Sequence, residues 1–464
     1  MPGNDHTYPP CPRARLEGQR RQLDTGKVRG GRQVIASPTP PYLQPRLLLP
    51  RASQAPDASA QSRRMLSSLL LQIKQSVSEL SRRANGMRTR QASHAGSWYS
   101  GLPTRLSSEL DKWLALVPDT LGDSKLPIAG ARVIIAPHAG YSYSGPCAAW
   151  AYKALDLRAA KRVFVLGPSH TYYLQGCALT SFDKYRTPFG DLVVDSEVTT
   201  ELEETGGFQE IPSYRDVEEH SLEMHLPYLW KRLEQTHGGD TTKFPRIVPI
   251  LVGDLADPDE KHFGQLLAPY LKDPENAFII SSDFCHWGER FTYRPTYYTD
   301  GILRNIDARE ERKAGQNQSK KRKSGDQNGN GRRLISNGNA DGPSEGDESR
   351  TPTPPPPGII GIQPSPIVTA DTPIHEFIKM LDDMAIEAVE TGVHSDFYKV
   401  VQVTKNSVCG RHPIGVVMAA LEVLEKEGLE DGKGKFKFVQ YQRSNLVSDV
   451  QDFSVSYASA YAIV

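Results

Sequence analysis

Four short runs of this chain are apolar at nearly every position rather than at every second one. They are "RVIIAP" (132–137), "RVFVLGP" (162–168), "RIVPILVG" (246–253) and "AFIISSDF" (277–284). Alternation would mean a strand with one wet face, whereas continuous β-branched runs predict strands buried on both faces of a parallel sheet. Between the first two runs, "GPCAAWAYKALDL" (145–157) has helical spacing and composition. Apolar residues recur on one helical face at Ile374, Phe377, Ile378, Leu381, Met384, Ala385 and Ala388, which predicts a helix over 374–391. "NSVCGRHPIGVVMAALEVLEKEG" (406–428) predicts another, with Pro413 in its first turn and its end near Gly428. The tail, "DFSVSYASAYAIV", reads as a final strand. The predicted class is α/β: one domain with a mainly parallel central sheet flanked by helices.

Composition divides the chain of 464 residues into folded and unfolded zones. Residues 1–90 hold 16 Lys+Arg against 5 Asp+Glu, with many Pro, Ser and Gln and no sustained apolar period. This predicts a disordered basic extension. Its arginine bias also fits a mitochondrial transit peptide, although "GNDHTYPPCP" makes a poor amphipathic helix. Met87 is an alternative start just ahead of the fold. Residues 309–370, with "KAGQNQSKKRKSGDQNGNGRRL" and "TPTPPPPG", predict a second disordered segment looping out of the domain. The folded parts are then 91–308 and 371–464, about 310 residues in all.

Charge and cysteine content set the compartment. Formal net charge is +0, which argues against a general nucleic-acid binder. Five cysteines without a CxxC pair read as reduced thiols of an intracellular, cytoplasmic protein. Lys320, Lys321, Arg322 and Lys323 form either a nuclear localisation signal or a solvated charge run. The aliphatic runs fall far short of the roughly 20 residues that span a bilayer.

The first two apolar runs break at a proline and deliver a histidine, His138 and His170, 32 residues apart. Strand, helix, strand over such a length is a βαβ unit. As neighbouring parallel strands, roughly 4.8 Å apart, they would place both imidazoles at the carboxyl edge, where open α/β sheets bind ligands. The alternative is two unrelated histidines that cap turns. A third run ends in Asp283, Cys285 and His286. Asp283 is either a ligand or an acceptor behind an imidazole, and His286 a third ligand or a general acid/base. Cys285 reads as a buried, inert thiol. In "EEHSLEMHLPY" (218–228), His220 and Glu223 are three apart and would share a helical face. Cys409 precedes a helix N-terminus beside Arg411 and His412, an environment that lowers a thiol pKa. It is a candidate nucleophile or a soft metal ligand.

Taken together, "ASHAGSWY", "APHAGYSYSG", "GPSH", "YRTPFGDL", "EEHSLEMHLPY", "VPILVG", "SSDFCHWG" and "CGRHPIG" resemble the Memo family, named for mediating ErbB-driven cell motility. These segments span nearly all of 91–308 and 371–464. The resemblance extends to component B of the AmmeMemoRadiSam system and, in fold, to class III extradiol dioxygenases, which open catechol rings at non-haem iron. It implies an iron or copper ion on His138, His170 and Cys409, with Asp283, His286 and His220 in catalytic positions: His286 as acid/base and His220 on the substrate side. His94 and Trp98 would form pocket wall, peptide-contact surface or turn packing. At Cys409 the sequence departs from the dioxygenases, which present two histidines and a carboxylate. A thiolate is softer and favours copper or a different iron redox behaviour, which argues against ring cleavage. Two functions follow: a metal-dependent redox enzyme acting on a small molecule, or a metal-handling or peptide-binding adaptor with signalling partners.

Overall fold

The computed structural model describes residues 86–297, 303–305 and 372–464. The unit considered below runs from Thr89 to Val464. The segments 1–85 and 309–370, including Lys320–Lys323, lie outside the described residues.

Twelve strands frame the site: β1 Thr89–Arg90, β2 Ala131–Ala136, β3 Arg162–Pro168, β4 Cys177–Leu179, β5 Lys184–Thr187, β6 Gly190–Val193, β7 Phe208–Glu210, β8 Arg246–Val252, β9 Asn276–Ser281, β10 His286–Trp287, β11 Phe436–Arg443 and β12 Ser454–Ile463. The main sheet has the order β10-β12-β2-β9-β3-β8-β4-β7, with β11 on β12. Its centre, β2, β9, β3 and β8, is parallel, and β12 and β4 add to it antiparallel. Every residue of β2 and β9 is buried, as continuous apolar runs require.

The helices are α1 Pro103–Leu116, α2 Tyr141–Ala154, α3 Ser196–Glu204, α4 Ser213–Glu218, α5 Leu226–His237, α6 Asp257–Lys272, α7 Ile374–Glu390, α8 His394–Thr404 and α9 Arg411–Lys426. One face of the sheet packs on α1, α2 and α5 through Leu106, Leu110, Ala148, Tyr152 and Leu229. The other packs on α6, α8 and α9 through Phe263, Leu267, Val400, Ile414 and Val417. The arrangement is therefore a layered α/β domain with two apolar cores. Among the described residues no helix is long and apolar enough to cross a membrane.

The order of strands corrects one expectation. The two His-bearing strands are parallel but not adjacent, because β9 lies between them. β9 pairs with β2 (Ser281↔Ala136) and with β3 (Ile280↔Leu166). "NAFIIS" is buried throughout, so it is placed in the middle of the sheet, where both its edges are paired. Adjacency of consecutive strands is only a tendency, and here it gives way. The spacing between β2 and β3 thus doubles to roughly 9.6 Å, twice the usual interstrand distance.

Candidate metal centre

Each candidate side chain sits just beyond an element's end. His138 lies two residues past β2, and its backbone N–H donates to Asp283 Oδ1 (2.9 Å), which follows β9. His170 lies two residues past β3, and its backbone N–H donates to Glu219 Oε2 (2.7 Å). Cys409 precedes Gly410, the N-cap of α9. A Cβ on Gly410 would lie 2.3 Å from Ser282 Cβ and 2.4 Å from the Ser281 carbonyl oxygen. Only glycine lets the start of α9 come this close to the end of β9.

Despite the interposed strand, the two imidazoles meet, with ring centroids 5.2 Å apart. β9 stops level with Ala136, so residues two beyond the ends of β2 and β3 lean over its terminus. One donor atom each from His138, His170 and Cys409 lies within 4.8 Å of the others. Cys409 Sγ is 3.2 Å from His138 Nε2 and accepts from the Asp283 backbone N–H at 3.2 Å. A second set, His170, Glu219 and His220, meets the same distance condition.

The electrostatics favour neutral imidazoles at His138, His220 and His286. Burial pushes the His138 pKa well down, and His170, His220, His225 and His286 push it further. His220 is lowered to about 3 and His286 to about 4, chiefly by burial. Neutral imidazole is the form that ligates a metal. Asp283 is pushed the other way, up to about 7, by burial that its two backbone N–H partners only partly offset. A carboxyl poised there can hold or release a proton near neutral pH. The donor set, two imidazoles and a sulfur that already accepts an N–H, fits a transition-metal ion.

His220 reaches the site by another route than predicted. It is not helical and shares no face with Glu223: α4 ends at Glu218, and a 3-10 turn begins only at Glu223. Glu219 caps α4, and its side chain binds the following backbone N–H groups of His220 and Ser221, which draws the chain out of the helix. The His220 ring nevertheless stacks on His170 (centroids 4.5 Å) and on Trp98 (4.5 Å), and lies 5.5 Å from His138. His94 lies edge-on to Trp98 at 5.6 Å. His286 faces Phe291 at 5.1 Å, and its Nδ1–H donates to the Phe284 carbonyl at 2.8 Å. Cys285 is buried, and burial raises its thiol pKa well above the ordinary value.

Sequence reasoning missed three groups. Glu219 accepts from both His170 and the 220–221 backbone. Ser281 contacts His138 Nδ1 at 2.6 Å. Arg90 is fully buried, donating to Asp216 (3.0 Å) and Glu223 (2.6 Å), and Glu223 in turn binds His94 Nδ1 at 2.9 Å. Burial alone would raise the Glu223 pKa, but His94 and Arg90 bring it down to about 2. The only sequence signal for Glu219 was its place beside His220. Arg90 was one of many arginines in a basic stretch.

The family described as Memo-like protein matches residues 90–461. Protein MEMO1 of Xenopus laevis is 39% identical over 375 residues, covering 81% of this chain and 97% of its own length. Human protein MEMO1 is 37% identical over 376 residues, 81% of this chain and 98% of its own. The protein memo-1 homolog of Caenorhabditis elegans is 35% identical over 379 residues, 82% of this chain and 84% of its own. With such a match reaching from Arg90 through the strand ends to β12, the chain belongs to the Memo family.

Proposed function

We propose that the protein binds iron or copper through His138, His170 and Cys409 and performs metal-dependent redox chemistry on a small molecule in the cleft. The observation that carries this reading is the convergence of three donor atoms within 4.8 Å from three separate chain segments. A bound ion would supply redox change and polarise an oxygen ligand. The chain's own part is to orient and to move protons: Asp283 exchanges one near neutral pH, neutral His286 accepts one, and the mutually tilted rings of His220 and Trp98 offer aromatic contact. A cytoplasmic location accords with Cys147, Cys177, Cys285 and Cys409, which form no disulfide among the described residues.

A second reading, a metal-handling or peptide-binding adaptor with signalling partners, is favoured by the same aromatic rings. His94, Trp98 and His220 form a contiguous ring surface that a peptide side chain would also fit. Metal analysis of protein from its own host, followed by anaerobic loading with Fe(II) or Cu(I) and O₂-uptake assays on a catechol panel, separates the two. Uptake that follows metal loading supports the redox reading; tight metal binding without turnover supports the adaptor. His138→Ala or His170→Ala should each weaken metal binding more than tenfold, about 1.4 kcal/mol, while the fold survives. Unchanged metal content in both variants defeats the metal site in either reading and leaves only the peptide-binding adaptor.

A further inference from the structure

We infer that Glu219 and Ser281 are positioning residues that hold His170 and His138 as Nδ1–H tautomers, and that Glu219 is not itself a ligand. This inference rests on the metal-site reading above and chooses between the two ligand sets that share His170.

The argument is a count of protons and lone pairs. Ser281 Oγ lies 2.8 Å from the Ser221 carbonyl oxygen and 2.6 Å from His138 Nδ1. A carbonyl only accepts, and a hydroxyl has one proton. That proton goes to Ser221, so Ser281 must accept from His138 Nδ1–H. The Nε2 lone pair of His138 is then left on the side of Cys409 Sγ, 3.2 Å away.

Glu219 is fully buried and receives N–H groups on both oxygens. Oε2 accepts from the His170 backbone (2.7 Å). Oε1 accepts from His170 Nδ1 (3.1 Å) and from the backbones of His220 (3.0 Å) and Ser221 (2.9 Å). Oε1, the oxygen facing both imidazoles (3.1 Å from His170 Nδ1 and 3.5 Å from His220 Nδ1), already accepts three N–H groups on its two lone pairs. Ligation through Oε1 would break at least one of these bonds, whereas acceptance from Nδ1–H leaves Nε2 of His170 available. Hydrogen bonds from ligating imidazoles to carboxylates or other acceptors serve this purpose in metal sites generally.

Both tautomers are set by one short segment. Glu219 fixes His170 directly, and the Ser221 carbonyl fixes His138 through Ser281. Ser221 is itself held by its Oγ–H donating to the Pro168 carbonyl (2.8 Å) at the end of β3.

The test combines ring ¹⁵N NMR of the metal-free protein with anaerobic Fe(II) and Cu(I) titrations against a competing chelator. In the metal-free parent, His138 and His170 should each show a protonated Nδ1 and an unprotonated Nε2. Glu219→Gln and Ser281→Ala should each shift the tautomer balance of its own histidine and weaken metal binding by roughly 10–100-fold. A parent in which either ring is mainly Nε2–H overturns the inference, whether or not any variant folds. So does a Glu219→Gln protein with an unchanged His170 tautomer, whether its affinity is kept or collapses as for a lost direct ligand. If the parent binds neither metal, the metal reading fails, and the spectrum still decides the tautomers.

Discussion

Two truncated chains, starting at Met87 and at Gln91, should differ sharply in stability although they differ by four residues. Arg90 is the reason. Its Nε donates to the Asp216 carbonyl (2.9 Å) and Oδ1 (3.0 Å), its Nη1 to Glu223 (2.6 Å) and its Nη2 to the Glu219 carbonyl (2.6 Å), all buried. Starting at Gln91 deletes the cation and strands two buried carboxylates. Removing one partner of a buried pair costs about 3–5 kcal/mol. Here Asp216 keeps Thr180 (2.6 Å) and Tyr185 (2.7 Å), and Glu223 keeps Tyr99 (2.8 Å) and His94 (2.9 Å). Those bonds place the loss near the middle of the range, about 4 kcal/mol, despite two stranded anions. At roughly 2 °C per kcal/mol for a domain of this size, the melting temperature should fall by about 8 °C. Urea unfolding of the two chains, with Arg90→Met in the full chain as a control, measures it. Arg90→Lys should recover only part, because an ammonium cannot reproduce the guanidinium fork. Equal midpoints for the Met87 and Gln91 chains, and for Arg90→Met, would refute the reasoning.

Cys409→Ser should lose copper more than iron, and Cys409→Asp should move preference toward iron. Full metal occupancy in Cys409→Ser, with alkylation equally fast in loaded and metal-free parent, would instead make Cys409 a nucleophile paired with His138. His225 is fully buried and its pKa is pushed down to about 3 by burial, against about 6.5 unfolded, so the native state refuses a proton that the unfolded chain takes up. Stability should therefore be lost as pH falls below about 6.5, by about 2 kcal/mol for this group at pH 5. His225→Gln should flatten that dependence by this amount, and superimposable pH profiles would dismiss it. Deleting 309–370 should leave the urea midpoint of the remaining fold unchanged, and an insoluble product or a lowered midpoint counts against a looped-out insertion.

What the sequence disclosed is what local pattern can encode. All-buried strands declare themselves in "RVIIAP" and "AFIISS", and helix α7 was predicted over 374–391 and runs over Ile374–Glu390. Strand order is different in kind. Nothing inside 132–168 reports that a strand more than a hundred residues later will separate β2 from β3. His220 was misplaced because its spacing from Glu223 looks helical, whereas the Glu219 side chain draws the backbone out of the helix there. Arg90 was hidden by composition: in a stretch of arginines, only the approach of Asp216 and Glu223 distinguishes one.

The repeated strand–proline–histidine unit can now be understood mechanically. If β2 and β3 were adjacent, His138 and His170 could still converge, but no element would stand between them to fix their rings. The interposed β9 ends in Ser281 and leads directly into Asp283, so the gap is filled by the residue that contacts His138 Nδ1 and by an aspartate whose backbone N–H donates to the thiol. The same strand end receives Gly410, which brings Cys409 in from a distant stretch of sequence. Three candidate ligands from three distant segments thus depend on one strand terminus. Widening Gly410 is therefore the substitution that should separate the thiol from the histidines while touching no ligand: Gly410→Ala drives a Cβ into Ser282 and the Ser281 carbonyl. Metal affinity in that variant should fall as in Cys409→Ser, and retention of full affinity would show that the site does not depend on this close approach.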